Sequence, residues 1–177
     1  KVTALALLMS LSGVAFTAPA LAAPDYAKIE ARKKAKTKVM GERVGKKVIK
    51  AFDLYNEDKL DEAIALLKEI DPSDDFDKAT VDRYLGQMYA QKEQYQLAIK
   101  HISAAVKPDV LNFADQEQGL KLLGDMYAGT EQYAKAKEAY AAWMDFTGEE
   151  DDKVYTRIAQ ANYELKLYKD VLPAANK

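Results

Sequence analysis

The sequence predicts an all-α fold, a superhelix of antiparallel helix pairs. Three observations carry this expectation. One two-helix pattern occurs twice with every element displaced by 38 residues, apolar side chains recur three or four apart, and Pro or Gly punctuates the boundaries between units. No stretch alternates with the period of two that a half-buried strand requires.

The first segment is of another kind. Lys1 precedes an apolar run from Val2 to Phe16, and Ala20-Leu21-Ala22 follows, which are the three parts of a secretory signal in order. Residues 1–22 are therefore expected to form a signal peptide cleaved after Ala22, with a Gram-negative periplasm as the destination. Ser10, Ser12 and Gly13 interrupt the run and Pro19 breaks it, so it falls short of the roughly 20 residues that a spanning helix needs. Cysteine is absent, which removes a lipid-attachment site after the leader along with disulfides, thiolate nucleophiles and the usual structural zinc sites.

Residues 23–47 form a basic segment. Pro24 to Lys50 carries ten Lys/Arg against three acids, whereas the rest of the chain after Lys50 carries fifteen against twenty-five. The overall charge of −2 and pI near 5.6 argue against a nucleic-acid partner, which needs a dense basic surface. Ala27, Ile29, Ala31 and Ala35 are too small and too few to bury much area against lipid. A solvated helix over 26–56, leading into the array, is the expectation, with docking on an anionic membrane surface as the lesser alternative.

Residues 48–177 hold about four helix pairs. Leu85-Gly86-x-x-Tyr89 followed by Tyr95-x-x-Ala98 recurs as Leu123-Gly124-x-x-Tyr127 followed by Tyr133-x-x-Ala136. Looser copies with Ala51, Leu54, Leu60 and Ala63 upstream, and Ile158, Ala159, Asn162 and Tyr168 downstream, are offset by 35. Further helices are expected near 59–70, 77–91, 95–106, 113–129, 133–146, 151–165 and 168–177. Gly86 and Gly124 are expected where the first helix of a pair closes on the second, with Ala98 and Ala136 as their counterparts. Tyr89, Tyr95, Tyr127 and Tyr133 would supply broad apolar faces around that contact. Asp71-Pro72-Ser73, Lys107-Pro108-Asp109 and Thr147-Gly148-Glu149 end successive units, and Asn112, Asp151 and Asp152 are candidate helix caps.

The Gly-x-x-Tyr and Tyr-x-x-Ala spacing resembles the tetratricopeptide repeat from about Val48 onward, most strongly in the two central units. In the fourth unit Asn162 stands in the aromatic position and Val171 in the small one, and Pro173 requires the last helix to begin near Asp170. The resemblance implies a right-handed solenoid with a concave groove lined by the first helices, at Phe52, Tyr55, Arg83, Gln87, Gln91, Lys121, Asp125, Gln160 and Tyr163. Such a groove takes an extended or helical segment of a protein partner. The Lys and Asn that some relatives use to clamp a C-terminal carboxylate are replaced by Val48 and Phe52, so chaperone-tail binding is not expected. The runs from Phe76 to Arg83 and from Ala141 to Glu150 are similar to segments of exported repeat proteins that accompany TonB energy-transduction systems in gammaproteobacteria. That likeness implies a periplasmic scaffold whose partner is an envelope protein such as a TonB-system component.

Catalysis is not expected. A nucleophile beside a base, or paired carboxylates in a dry pocket, is what turnover requires. With a single His and no Cys, such pairings are scarce; His101 is expected to face solvent, and one His makes no metal site alone. Asp74-Asp75-x-Asp77 and Glu149 to Asp152 lack the Gly-turned spacing of a calcium loop and are expected to cap helices. Gly41 and Gly45 stand in a basic helical stretch rather than after a strand, so they form no phosphate loop. No cofactor is expected. The enzymatic alternative is an accessory domain of an envelope enzyme.

Overall fold

The computed structural model describes residues 24–177, so the expected signal peptide lies outside the described residues. These residues form α1 (Tyr26–Lys33), α2 (Glu42–Asn56), α3 (Leu60–Lys68), α4 (Asp75–Gln91) and α5 (Tyr95–Val106). α6 (Phe113–Gly129), α7 (Tyr133–Thr147) and α8 (Asp152–Glu164) follow, then a 3-10 turn at Tyr168–Asp170 and α9 (Val171–Ala175). The described residues are all-α. α2 packs on α3, α4 on α5, α6 on α7 and α8 on α9, and each second helix then packs on the first helix of the next pair. A chain whose helices touch chiefly their sequence neighbours is a superhelical array of antiparallel pairs.

One turn, used four times, sets this architecture. Asp58, Glu93, Glu131 and Lys166 each take a left-handed backbone at φ 61°, 58°, 59° and 60°. The amide of the next residue donates to the carbonyl five positions back (Lys59 to Leu54, Gln94 to Tyr89, Gln132 to Tyr127, Leu167 to Asn162) at 2.8–2.9 Å. The left-handed residues themselves donate to Tyr55, Ala90, Ala128 and Tyr163. This is the Schellman arrangement, which satisfies the orphan carbonyls at the end of a helix and turns the chain back on itself.

Within each pair the glycines act as expected, but against different partners. A Cβ on Gly86 would lie 2.6 Å from the Ile102 side chain and 3.0 Å from its backbone nitrogen; one on Gly124 would lie 2.6 Å from the Tyr140 ring. The counterparts are thus Ile102 and Tyr140, one helical turn beyond Ala98 and Ala136. The alanines are fully buried at 0 % exposure and let the helices close just before the tightest point. Tyr89 is buried and Tyr127 packs on the core, while Tyr133 is half-buried and Tyr95 is exposed. The core runs unbroken from Val44 through Leu67, Leu85 and Ile102 to Met126, and a second cluster of Ala136, Tyr140, Trp143, Met144 and Val154 joins the last two pairs.

The basic segment departs from expectation. No continuous helix covers 26–56: α1 ends at Lys33, and residues 35–41 run without helix before α2 begins at Glu42. The segment is solvated over most of its length, as expected, with Ile29 buried, but it is held as a strap along the edge where the second helices end. Its Lys38 amide donates to Asn112 Oδ1 at 2.8 Å while Asn112 Nδ2 donates back to the Lys38 carbonyl at 3.0 Å, and the Gly41 amide donates to Asp77 at 3.1 Å. These long-range partners outcompete the i→i−4 ladder over a stretch containing β-branched Thr37 and Val39. At the far end, buried Ile29 and the Tyr26 ring cover Gly148, whose φ of 68° and lack of a side chain admit both.

The strap also accounts for its own charge. Neither α5 nor α7 carries a basic residue in its last turn, where the partial negative charge of a helix gathers. The strap delivers the cations: Lys38 Nζ donates to the Val110 carbonyl at 2.9 Å, and Arg32 pairs with Asp109 while lying 4.6 Å over the Phe146 ring. Beyond α3, Arg43 donates to the Asp71 carbonyl at 2.8 Å.

Caps follow expectation in part. Asp74 accepts from the amides of Phe76 and Asp77, and Asp151 from those of Lys153 and Val154. Asn112 occupies the cap position of α6 but turns its side chain to the strap, and Asp77 is buried against Gly41 rather than capping. The last expected helix splits, because Pro173 fits only in the first turn of α9, and a 3-10 turn fills the residues before it. Buried Asn162 stands in for the missing aromatic and donates to the Asp170 carbonyl at 2.9 Å.

Candidate binding groove

Two neighbouring hollows mark the face formed by the first helices of the pairs. The first, of about 260 Å³, is lined by Phe52 and Tyr55 of α2 and by Tyr84, Gln87, Met88 and Gln91 of α4. Four of these six are residues that the repeat resemblance assigned to a groove. The Phe52 ring meets Tyr84 edge-on at 4.7 Å and Tyr55 at 6.3 Å, so the aromatic wall is braced by its own members. Gln87 and Gln91 supply amide donors and acceptors one turn apart on α4.

The second hollow lies on α6 and is lined by Ala114, Asp115, Glu117, Gln118, Lys121, Leu122 and Asp125. Tyr84 and Leu122, and likewise Gln87 and Asp125, are 38 residues apart, so both hollows present the same register positions of successive units. Arg83 joins them. Its guanidinium lies 4.6 Å over the Tyr84 ring, and Nη2 stands 3.0 Å from Asp115 Oδ1 in an ion pair. Arg83 itself is buried, which corrects its expected place on the open groove floor: it is the partition between the hollows.

Lys121 and Asp125 line the groove but are also engaged beneath it. Lys121 Nζ donates to Asp151 Oδ2 at 2.6 Å and sits 4.8 Å over the Trp143 ring. That bond, followed by the Val154 amide, holds the Asp151 carboxyl below the usual carboxylate range. Tyr140 Oη donates to Asp125 Oδ1 at 2.7 Å, and burial first, then this bond, pushes the Tyr140 phenol well above its ordinary value. Gln160 and Tyr163 are exposed on α8 and line neither hollow; Tyr163 instead meets Tyr168 edge-on at 5.8 Å.

Sequence reasoning missed Tyr84, Met88, Asp115 and Leu122. The signal available was the aromatic-to-aliphatic match between Tyr84 and Leu122 across the 38-residue period. His101 also departs from expectation. It is mostly buried, its Nδ1 lies 2.7 Å from Asp82 Oδ1, and its ring stacks on Tyr89 at 5.4 Å, so it joins two helices of one pair instead of facing solvent.

No protein-family model matches the chain, and no curated protein matches it. Among solved structures the chain is similar to MamA of AMB-1, with 16% identity, a TM-score of 0.48, and 75% of this chain and 87% of that one covered. It is similar also to MamA of MSR-1, with 15% identity, a TM-score of 0.47, and 77% and 94% covered.

Proposed function

We propose that this chain is a periplasmic binding scaffold that holds a segment of an envelope protein along its first helices and thereby supports a TonB-dependent uptake system. The observation that carries the binding role is the hollow shared by α2 and α4, where Phe52, Tyr55, Tyr84 and Met88 offer apolar contact and Gln87 and Gln91 offer hydrogen bonds. Aromatic anchors beside amides are what an extended or helical peptide segment needs for affinity and register. The placement in the periplasm rests on the leader-like residues 1–22. The link to TonB rests on the runs from Phe76 to Arg83 and from Ala141 to Glu150. We read the role as binding rather than turnover, since the groove residues are aromatic, amide and paired charged groups.

A photo-crosslinking amino acid placed at Tyr84, with another at exposed Lys100 on α5, tests this in cells expressing the whole chain. Adducts to an envelope protein from position 84 and not from 100 are expected, with the chain recovered in the periplasmic fraction. Adducts from neither position, or equally from both, would end the groove reading. An adduct to an envelope protein unrelated to energy transduction would retain the scaffold and remove TonB.

A further inference from the structure

The two hollows differ in charge, and the difference specifies what lies across them. The first carries no ionised side chain among its lining residues. The second carries Asp115, Glu117 and Asp125 against Lys121. Two of these four charges are already compensated: Asp115 by Arg83 at 3.0 Å, and Lys121 by Asp151 at 2.6 Å. Glu117 has no ion-pair partner among the described residues, and Asp125 accepts only the neutral Tyr140 hydroxyl. The second hollow therefore presents two carboxylates without an ion pair, Arg157 acting only from beside the Tyr140 hydroxyl. Lys121 cannot swing across to neutralise them without abandoning both Asp151 and the Trp143 ring.

We infer that the partner segment is an extended peptide carrying one large apolar side chain and, a short step along, one or two Lys or Arg residues. The apolar side chain fills the hollow walled by Phe52, Tyr84 and Met88, and the cation meets Glu117 and Asp125. The Arg83 guanidinium separates the two sites, in contact with the Tyr84 ring on one side and with Asp115 on the other. With the guanidinium 4.6 Å from the ring centroid on one side and 3.0 Å from the carboxylate on the other, at roughly 3.3 Å per residue of extended chain the step between the anchor and the cation is about two to four residues. Attraction supplies only part of the selectivity; an acidic residue at the second site would face two like charges, and that repulsion excludes it. This inference rests on the groove reading above and adds the chemistry of its ligand.

The test uses the purified chain and capped, fluorescein-labelled nonapeptides in a Gly/Ser background. The reference peptide carries Phe and, three residues on, a Lys pair; its companions replace the Lys pair by Glu, or Phe by Ala. Fluorescence polarisation is expected to show saturable binding of the reference peptide that weakens with salt, and at least about ten-fold loss in each companion. Tyr84→Ala should abolish binding of the reference, while Glu117→Lys, half-buried on α6 but outside both apolar clusters, should reverse the preference toward the Glu peptide. Equal binding of the Lys and Glu peptides, or an unchanged preference in Glu117→Lys, overturns the inference while the groove reading stands on its own crosslinks. Failure of every peptide overturns it as well. So does concentration-dependent self-association that Tyr84→Ala abolishes and the reference peptide does not compete, because that result assigns the hollow to a second copy of the chain.

Discussion

Gly124 lies beneath the ring of Tyr140, so close that a single methyl group on the glycine would stand 2.6 Å from the ring carbons. Gly86 bears the same relation to Ile102 in the preceding unit, and in both pairs the separation in sequence is sixteen residues. Gly124→Ala and Gly86→Ala should each lower stability by about 1–3 kcal/mol, since the added carbon forces a buried, rotamer-locked side chain out of place. Gly129 is the control. Nothing lies within 4 Å of its prospective Cβ, so Gly129→Ala should be neutral or slightly stabilising, given the better helix propensity of Ala. Thermal unfolding followed by circular dichroism separates the two outcomes.

The four left-handed turn residues make a prediction of opposite sign. Glu93 sits at φ 58°, a conformation in which an L side chain is strained and glycine is not. Glu93→Gly should raise stability by up to about 1 kcal/mol, measured as a shift in the denaturation midpoint at unchanged slope. A loss of stability would mean that the Glu93 side chain has a role the backbone geometry does not show.

These turns show where the sequence was legible and where it was not. The helix pairs could be read because Gly86, Gly124 and their tyrosines repeat at a fixed distance, and close packing permits few residue types there. The left-handed positions could not be read, since Asp58, Glu93, Glu131 and Lys166 include no Gly or Asn, and only Glu93 and Glu131 share a residue type. The strap was hidden for a different reason. Its cations Arg32 and Lys38 find polar partners more than seventy residues away, and where Lys38 meets the Val110 carbonyl the partner is a backbone group that leaves no mark in the sequence. In the groove, Phe52, Tyr55, Gln87 and Gln91 come together as the repeat resemblance implied, but the engagement of Arg83 with Asp115 depends on which side chains the next unit happens to offer.

The strap should behave as a stabilising element across units. Ile29 is only 3 % exposed and closes over Gly148 at the end of α7. Ile29→Ala should cost about 2 kcal/mol, at the low end for a buried Ile because one flank of the site is the strap itself. Hydrogen exchange should then quicken at the Lys38 amide and at residues 26–33, with the α4–α5 pair little changed. Exchange unchanged at Lys38 would mean that the strap's two ends dock independently.

Tyr140 offers a spectroscopic check on the groove floor. Its phenol is raised in the folded state, so the stability that comes from keeping it protonated is present below the ordinary tyrosine value near 10 and is lost only as pH climbs through the higher folded value. An ultraviolet titration of the native chain should therefore leave one tyrosine un-ionised after the exposed ones have titrated, and Tyr140→Phe should remove that lagging component. A native titration in which all tyrosines ionise together would contradict burial of this ring.

Asp151 sets the acid side. Its carboxyl is held low by Lys121 and then by the Val154 amide, so it is charged in the folded chain at pH values where the unfolded carboxylate is already protonated. The stability it contributes is complete above the unfolded value near 3.9 and falls away as pH drops through the lower folded one. The chain has a single tryptophan, Trp143, lying beneath Lys121 in the cluster that docks α8, so its fluorescence reports this joint directly. Asp151→Asn keeps the side-chain oxygen that caps α8 but removes the charge that Lys121 answers. At neutral pH it should lower stability and disturb Trp143. On acidification it should lose the component of the wild-type fluorescence change that belongs to this carboxylate, while the response from other acids remains. An identical acid profile in the variant would show that Lys121 and Asp151 contribute nothing to holding the fourth pair on the third.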